Sequence, residues 1–249
     1  METRTVTLGA LVDAAGPLAL APLDAPARAL AVTGIAIDSR ALRPGNVFVA
    51  VPGTASDGHD FIDDAVARGA SAVVVEHACP SARVPAVVVA NSAQALAVMA
   101  SRFYGDPARD LFLCGVTGTN GKTSTTYLLR SIFQRAGRRM GIIGTLGHGV
   151  EQLVRDPHTT PDAVTLHSWF RAMRDQNCFG VVMEVSSHAV RQHRVWGLDF
   201  SVGIITNVTH DHLDFHKTMD DYKAAKAEFC HSLVAAGRHK PNGILVYWA

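Results

Sequence analysis

Beyond residue 110 the chain repeats one pattern: a short run that is apolar at every position, a turn, then a stretch with helical spacing. The apolar runs are Leu111 to Val116, Met140 to Ile143, Phe179 to Met183, Phe200 to Thr206 and Ile244 to Trp248. The helices start near Lys122, Pro161 and Met219, with Thr160 placed to cap the second and Pro161 at its first position. Strands apolar on both faces and separated by helices predict a doubly wound, mainly parallel sheet. Ligands bind such sheets at the carboxyl ends of the strands.

The first part alternates differently. Val32 to Ile37 reads as a strand closed by Asp38-Ser39-Arg40, and Val47 to Val51 as a second strand after the turn Pro44-Gly45-Asn46. Phe61, Ile62, Ala65 and Val66 recur at helical spacing up to Gly69. Ala72 to Val75 and Ala86 to Val89 follow as buried-type strands, then a helix from Asn91-Ser92 to about Tyr104. The fold class is therefore α/β, with a small mixed α/β domain over residues 1–107 and a sheet domain over residues 108–249. Gly105-Asp106-Pro107 marks the boundary.

The first strand of the second domain runs into Gly115-Val116-Thr117-Gly118-Thr119-Asn120-Gly121-Lys122-Thr123-Ser124. A strand, a glycine loop, Lys-Thr and a helix form a wrapping for a polyphosphate. Glycines let backbone N–H groups approach the oxygens, the helix N-terminus adds positive potential, and a lysine spans the outer phosphates. Gly118, Thr119, Asn120, Gly121, Lys122, Thr123 and Ser124 are thus candidate polyphosphate-binding residues, with the Thr123 hydroxyl placed for Mg²⁺. Val116 stands where the strict Walker pattern has its first glycine, so a plain glycine turn with a surface lysine is the competing reading.

Two later strand ends add chemistry. Glu184 ends an apolar strand, where a carboxylate holds Mg²⁺ beside a phosphate loop or else caps a neighbouring helix. Asn207 to His216, NVTHDHLDFH, gathers three His and two Asp in ten residues. That density suits a transition metal, but no second His/Cys cluster completes such a site, so a Mg²⁺-nucleotide role fits better.

Composition narrows the class further. A hydrophobic fraction of 48% with 18% charged residues describes a globular chain, and a net charge of +1 with no basic run argues against a nucleic-acid surface. The four cysteines at 79, 114, 178 and 230 have no paired spacing and read as reduced thiols. No secretory leader pattern and no apolar run of about 20 residues is present, so a cytoplasmic protein without membrane partners is expected.

GVTGTNGKTST, HTTPD, MEVSSHAVRQHR and NVTHDHLDFHKTMDDYKAAK, in this order, resemble the Mur ligase family. DSRALRPGNVFVAVPG and DGHDFIDDAVARGA are similar to its UDP-N-acetylmuramoyl-tripeptide synthetase branch, and the likeness spans about residues 32–230. It implies an ATP-dependent amide ligase of peptidoglycan precursor synthesis. ATP would activate the terminal carboxylate of UDP-N-acetylmuramoyl-L-alanyl-D-glutamate as an acyl phosphate, which the amine of diaminopimelate or lysine then displaces. Lys122, Glu184, His212 and Lys226 become the catalytic set, with Thr123, Glu184 and His212 around Mg²⁺. The resemblance also makes Lys226 the lysine carbamylated by CO₂, although by pattern alone it is an exposed helix lysine. Ser39, Thr159, Thr160, Ser186, Gln192 and Arg194 would contact the UDP-sugar peptide between the two domains; hydroxyl capping and turn formation are the alternative for the hydroxyls. A monomer is expected.

Family members continue through a completed central sheet and a C-terminal domain that selects the amino acid, whereas this chain ends at Ala249. The expectation is therefore the N-terminal and most of the central domain, binding ligands without ligating them. A non-catalytic nucleotide or UDP-sugar module, and another Mur-like ligase of the folylpolyglutamate or cyanophycin type, remain alternatives.

Overall fold

The computed structural model describes residues 5–54, 56–79, 83–209, 218–234, 240 and 243–247. It divides into two units, Met1–Gly105 and Asp106–Ala249.

In the first unit the chain runs β1 (Val6–Thr7), α1 (Leu8–Ala15), α2 (Ala25–Arg28), β2 (Ala31–Val32), β3 (Gly34–Ala36) and β4 (Asn46–Val49). It continues through α3 (Ile62–Ala67), β5 (Ala72–Val75), β6 (Ala86–Val88) and α4 (Ser92–Tyr104). Strands β3, β4, β5 and β6 form a parallel sheet in that order, and β1 pairs antiparallel with β2. Phe48, Ile62, Val73 and Val75 are packed in its core. The single strand expected over Val32 to Ile37 is two. Val32 pairs with Val6, Gly34 pairs with Asn46, and Thr33 N donates to the Gly45 carbonyl at 3.0 Å between them. The backbone thus changes partner at Thr33, which an apolar run does not reveal. Helix α4 is capped as expected: Asn91 Oδ1 accepts from Gln94 N at 2.8 Å, and Gly105 closes it at φ 82°. Helix α1 was not anticipated, although Leu8, Leu11, Val12 and Ala15 are buried at helical spacing.

The second unit comprises β7 (Phe112–Thr117), α5 (Lys122–Arg135), β8 (Met140–Gly144), β9 (Gly147–Gly149), β10 (Leu153–Val154) and α6 (Ala163–Asp175). After these come β11 (Gly180–Glu184), α7 (Ser187–Arg191), β12 (Val202–Ile205), a helix labelled α8 here (Met219–Ser232) and β13 (Ile244–Tyr247). The sheet order is β10-β9-β8-β11-β7-β12-β13, parallel from β8 to β13. Successive side chains of β7 face opposite layers, as strand pleating requires. Leu113 packs with Phe170, Met183, Phe200 and Phe229, while Cys114 and Val116 pack with Val182 and α5 residues Leu129 and Phe133. The antiparallel β8–β9–β10 edge was not anticipated, because Gly147-His148-Gly149 carries no apolar signal.

One cap is corrected. Helix α6 begins at Ala163, not at Pro161, and its cap is Asp162, whose Oδ1 accepts from Val164 N at 2.8 Å. Thr160 is two residues too early and its hydroxyl is used elsewhere. All four cysteines are free thiols; burial pushes the pKa of Cys114 up to about 12. Among the described residues, no helix is long and apolar enough to cross a membrane.

Candidate active site

Sheet register brings the chemistry to one edge. Glu184 is level with Val116 on the neighbouring strand, and Ile205 with Thr117 on the other side. The glycine loop leaves β7 between these strand ends. Gly118 has φ 140°, and a Cβ there would fall inside the Thr206 hydroxyl, so the loop passes against β12's exit only because this residue is glycine. The loop is stitched to that exit: Thr119 N donates to the Asn207 carbonyl and Asn120 N to Asn207 Oδ1, both at 3.0 Å. Thr206 Oγ1 donates to the Asn120 carbonyl at 2.7 Å. Gly121, at φ 83°, then opens α5, so that helix presents its unpaired N–H groups at the loop. Lys122 Nζ lies over the same loop, donating to the Gly118 and Thr119 carbonyls at 2.8 and 2.9 Å.

Glu184 ties three strand ends together. Only 1% exposed, it accepts from Thr123 Oγ1 at 3.0 Å and from Thr145 N at 2.9 Å through Oε1. Its Oε2 lies 3.2 Å from Thr145 Oγ1. Gly144 leaves the room, since a Cβ there would collide with Oε1. The carboxylate is thus directed at the first turn of α5 rather than capping another helix.

Thr160 is buried beside it and donates its hydroxyl proton to the Glu184 carbonyl at 2.8 Å, while Ser186 N donates to Thr160 Oγ1 at 3.1 Å. Ser186 caps α7 through Ala189 N at 3.2 Å. Arg194 reaches back to the Thr160 carbonyl through Nη1 at 2.6 Å and holds Gln192 Oε1 through Nε and Nη2 at 2.9 and 2.6 Å. Burial lowers the Arg194 pKa from its ordinary value, with Asp162 and Asp156 opposing the shift. Thr159 Oγ1 is 3.1 Å from Thr145 Oγ1.

Gly118 to Thr123, Thr145, Thr159, Thr160, Glu184, Ser186 and Arg194 line one cleft of about 490 Å³ together with His158, Ser187, His188 and Lys226, whereas Gln192 is not in its wall and stands behind Arg194. Lys226 is 3% exposed, which corrects its reading as a solvated helix lysine, and its Nζ lies 4.3 Å from the centroid of the Tyr222 ring. Ser124 is exposed on the first turn of α5. Ser39 belongs to the first unit: it is buried in the turn after Asp38, and its hydrogen bond lowers the Asp64 pKa. His212 lies outside the described residues. The sequence marks Thr145 only within the strand-end segment Gly144-Thr145-Leu146-Gly147 and His158 only within HTTPD, whereas nothing local distinguishes Tyr222.

The donor set suits a magnesium nucleotide. A threonine hydroxyl and a buried carboxylate are hard oxygen ligands within 3.0 Å of one another, beside a lysine and a helix N-terminus.

The chain is similar to known proteins. Residues 116–249 match the description "Mur ligase middle domain", and residues 31–104 match "Mur ligase family, catalytic domain". A UDP-N-acetylmuramoyl-L-alanyl-D-glutamate--2,6-diaminopimelate ligase of Parabacteroides distasonis is 47% identical over 208 residues, covering 82% of this chain and 43% of that protein. The ligase of the same name from Bacillus velezensis is 43% identical over 210 residues, covering 84% and 43%. The chain spans about two fifths of the length of these relatives. A solved structure of a ligase of that name superposes with a TM-score of 0.76 over 98% of this chain and 52% of its own, at 24% identity. MurF from Acinetobacter baumannii shares the fold at a TM-score of 0.64 and 21% identity, over 99% of this chain and 49% of its own. With one family description covering more than half its residues and a relative 47% identical over four fifths of it, the chain belongs to the Mur ligase family.

Proposed function

We propose that this chain supplies the nucleotide-binding portion of an ATP-dependent amide ligase. In this reading the ligase adds 2,6-diaminopimelate to UDP-N-acetylmuramoyl-L-alanyl-D-glutamate in the cytoplasm. The observation that carries the proposal is the Thr123–Glu184 hydrogen bond at 3.0 Å, formed in the cleft that also holds Lys122, Arg194 and Lys226. ATP, when bound, supplies the phosphoryl group that makes a carboxylate oxygen a leaving group for attack by an amine.

The chain's own residues bring anions together. Gly118 to Ser124 cradle the phosphates with backbone N–H groups, and Lys122 exchanges its loop carbonyls for phosphate oxygens. Thr123 and Glu184 would hold Mg²⁺, and the family resemblance adds His212, which lies outside the described residues. Once deprotonated, the Lys226 amine would form an N–C bond with CO₂ and lose a further proton, leaving a carbamate anion that would support the metal. Arg194 pairs with an anionic group of the UDP-sugar peptide, oriented by Gln192, and Thr159 and Ser186 offer hydroxyls. Thr160 acts by holding Arg194 and Ser186, since its hydroxyl proton is committed to the Glu184 carbonyl. The names of the relatives support diaminopimelate over lysine.

Calorimetry with ATP·Mg²⁺ and with UDP-N-acetylmuramoyl-L-alanyl-D-glutamate tests this reading. Both should bind, and Lys122→Ala should weaken ATP about ten-fold or more while leaving the UDP-sugar unaffected, since a charged hydrogen bond contributes roughly 1.5–3 kcal/mol. A chain that binds ATP but not the UDP-sugar dipeptide would point instead to a different amide ligase on the same scaffold.

A further inference from the structure

Tyr222 is fully buried on α8 and touches two parts of the cleft that belong to different elements. Its hydroxyl lies 2.9 Å from Thr119 Oγ1 in the glycine loop. Either hydroxyl can be the donor. Thr119 Oγ1 also accepts from Thr209 N at 2.9 Å and lies 3.2 Å from the Thr209 carbonyl, so the Tyr222 bond belongs to a network that holds the loop. At the other end, the Tyr222 ring faces Lys226 Nζ at 4.3 Å, within cation–π distance. Tyr222 and Lys226 are one helical turn apart, which puts both on the face of α8 that meets the cleft.

We infer that Tyr222 is a two-ended positioning residue. Its hydroxyl fixes the glycine loop through Thr119, and its ring fixes the free amine of Lys226 over the same cleft, before CO₂ adds to it. The first role rests on ATP binding at the loop; the second does not. A rigid aromatic suits the task because ring and hydroxyl move together, so displacement of the loop by a bound nucleotide is felt at Lys226. Arg191 holds the same helix from α7, through Asp221 and Glu228 on either side of Lys226, which keeps the ring from following the loop freely.

The test compares Tyr222→Phe, which keeps the ring, with Tyr222→Leu, which removes both ends; Tyr222→Met replaces the latter should it not fold. ATP affinity is measured by calorimetry, and Lys226 exposure by its rate of acetylation in CO₂-free buffer, where it keeps its amine, read by peptide mass spectrometry. Tyr222→Phe should weaken ATP about five-fold, the effect of one lost hydrogen bond, and leave Lys226 acetylation at the wild-type rate. The aliphatic variant should weaken ATP similarly and acetylate Lys226 severalfold faster. Thr119→Val combined with Tyr222→Phe should bind ATP no more weakly than Thr119→Val alone, because both remove one bond. Wild-type ATP affinity in Tyr222→Phe overturns the loop half, and unchanged acetylation in the aliphatic variant overturns the amine half. Equal disturbance of both readouts by Tyr222→Phe reduces Tyr222 to general packing. A wild-type chain that binds no ATP removes the nucleotide reading and leaves the acetylation comparison standing.

Discussion

Thr123 and Glu184, 61 residues apart in sequence, share a hydrogen bond of 3.0 Å because β11 lies beside β7 and its last residue is level with the start of the glycine loop. The bond joins the first turn of α5 to the sheet and orients a buried carboxylate whose second neighbour is the Thr145 amide. Glu184→Gln keeps the shape and removes the charge. ATP affinity in the presence of Mg²⁺ should fall about ten-fold or more, while affinity for ATP without metal changes little. Equal loss with and without Mg²⁺ would show that Glu184 only shapes the loop.

Gly118 tests the path of the loop. Its φ of 140° and its contact with the Thr206 hydroxyl leave no space for a methyl group. Gly118→Ala should cost roughly 1–3 kcal/mol in backbone strain alone and abolish nucleotide binding. Thermal unfolding and calorimetry would detect both. A variant with wild-type stability would mean that the loop adopts another path.

His167 makes stability depend on pH. Burial lowers its pKa from 6.5 to about 4, and its Nδ1 has no hydrogen-bond partner among the described residues. The folded state therefore binds fewer protons than the unfolded state between these values. The resulting stability is complete above pH 6.5 and is lost as pH falls toward about 4, up to roughly 3 kcal/mol. His167→Leu should flatten the unfolding free energy across this window, measured by urea titration at several pH values. A slope identical to the wild type would assign the acid sensitivity to other groups.

Arg191 links α7 to α8 through Glu228 at 3.0 Å and Asp221 at 2.6 Å. Both pairs are partly exposed, so each contributes at most about 1 kcal/mol. Arg191→Met should lower the melting temperature by only about 2–4 °C, yet speed amide exchange in α8 relative to β7 and β11. Lysine should rescue incompletely, since one ammonium cannot match a two-armed guanidinium. Unchanged exchange in α8 would mean that packing alone holds the helix.

Strand β13 exposes Ile244, Leu245, Val246 and Tyr247, and among the described residues only β12 pairs with it. Such an apolar edge favours association. Light scattering should show concentration-dependent association of this chain that Val246→Lys suppresses. A monomer at all concentrations would show the edge to be harmless.

Local pattern was enough for the parallel strands, because runs such as Val181-Val182-Met183 are apolar on both faces only in a sheet covered on both sides. It was enough, too, for the loop and for α5, where glycine and Lys-Thr spacing is a local requirement of backbone geometry. Asn91 was legible as a cap because a cap bonds within its own first turn. Thr160 misled because its neighbour Asp162 competes for the same task, and the choice was settled by the distant Glu184 carbonyl.

What the sequence determined by itself was whatever depends on near neighbours: strand and helix periodicity, the glycine turn, and the residue types a phosphate requires. Tertiary structure decided the rest. The change of strand partner at Thr33, the glycine-rich edge hairpin, the burial of Lys226 against Tyr222 and the meeting of Thr123 with Glu184 are contacts between residues whose separation along the chain carries no signal. Burial and register belong to the sheet as a whole. A polar side chain such as Lys226 is placed in a cleft because the neighbouring elements close around it, not because its own segment differs from that of a solvated helix.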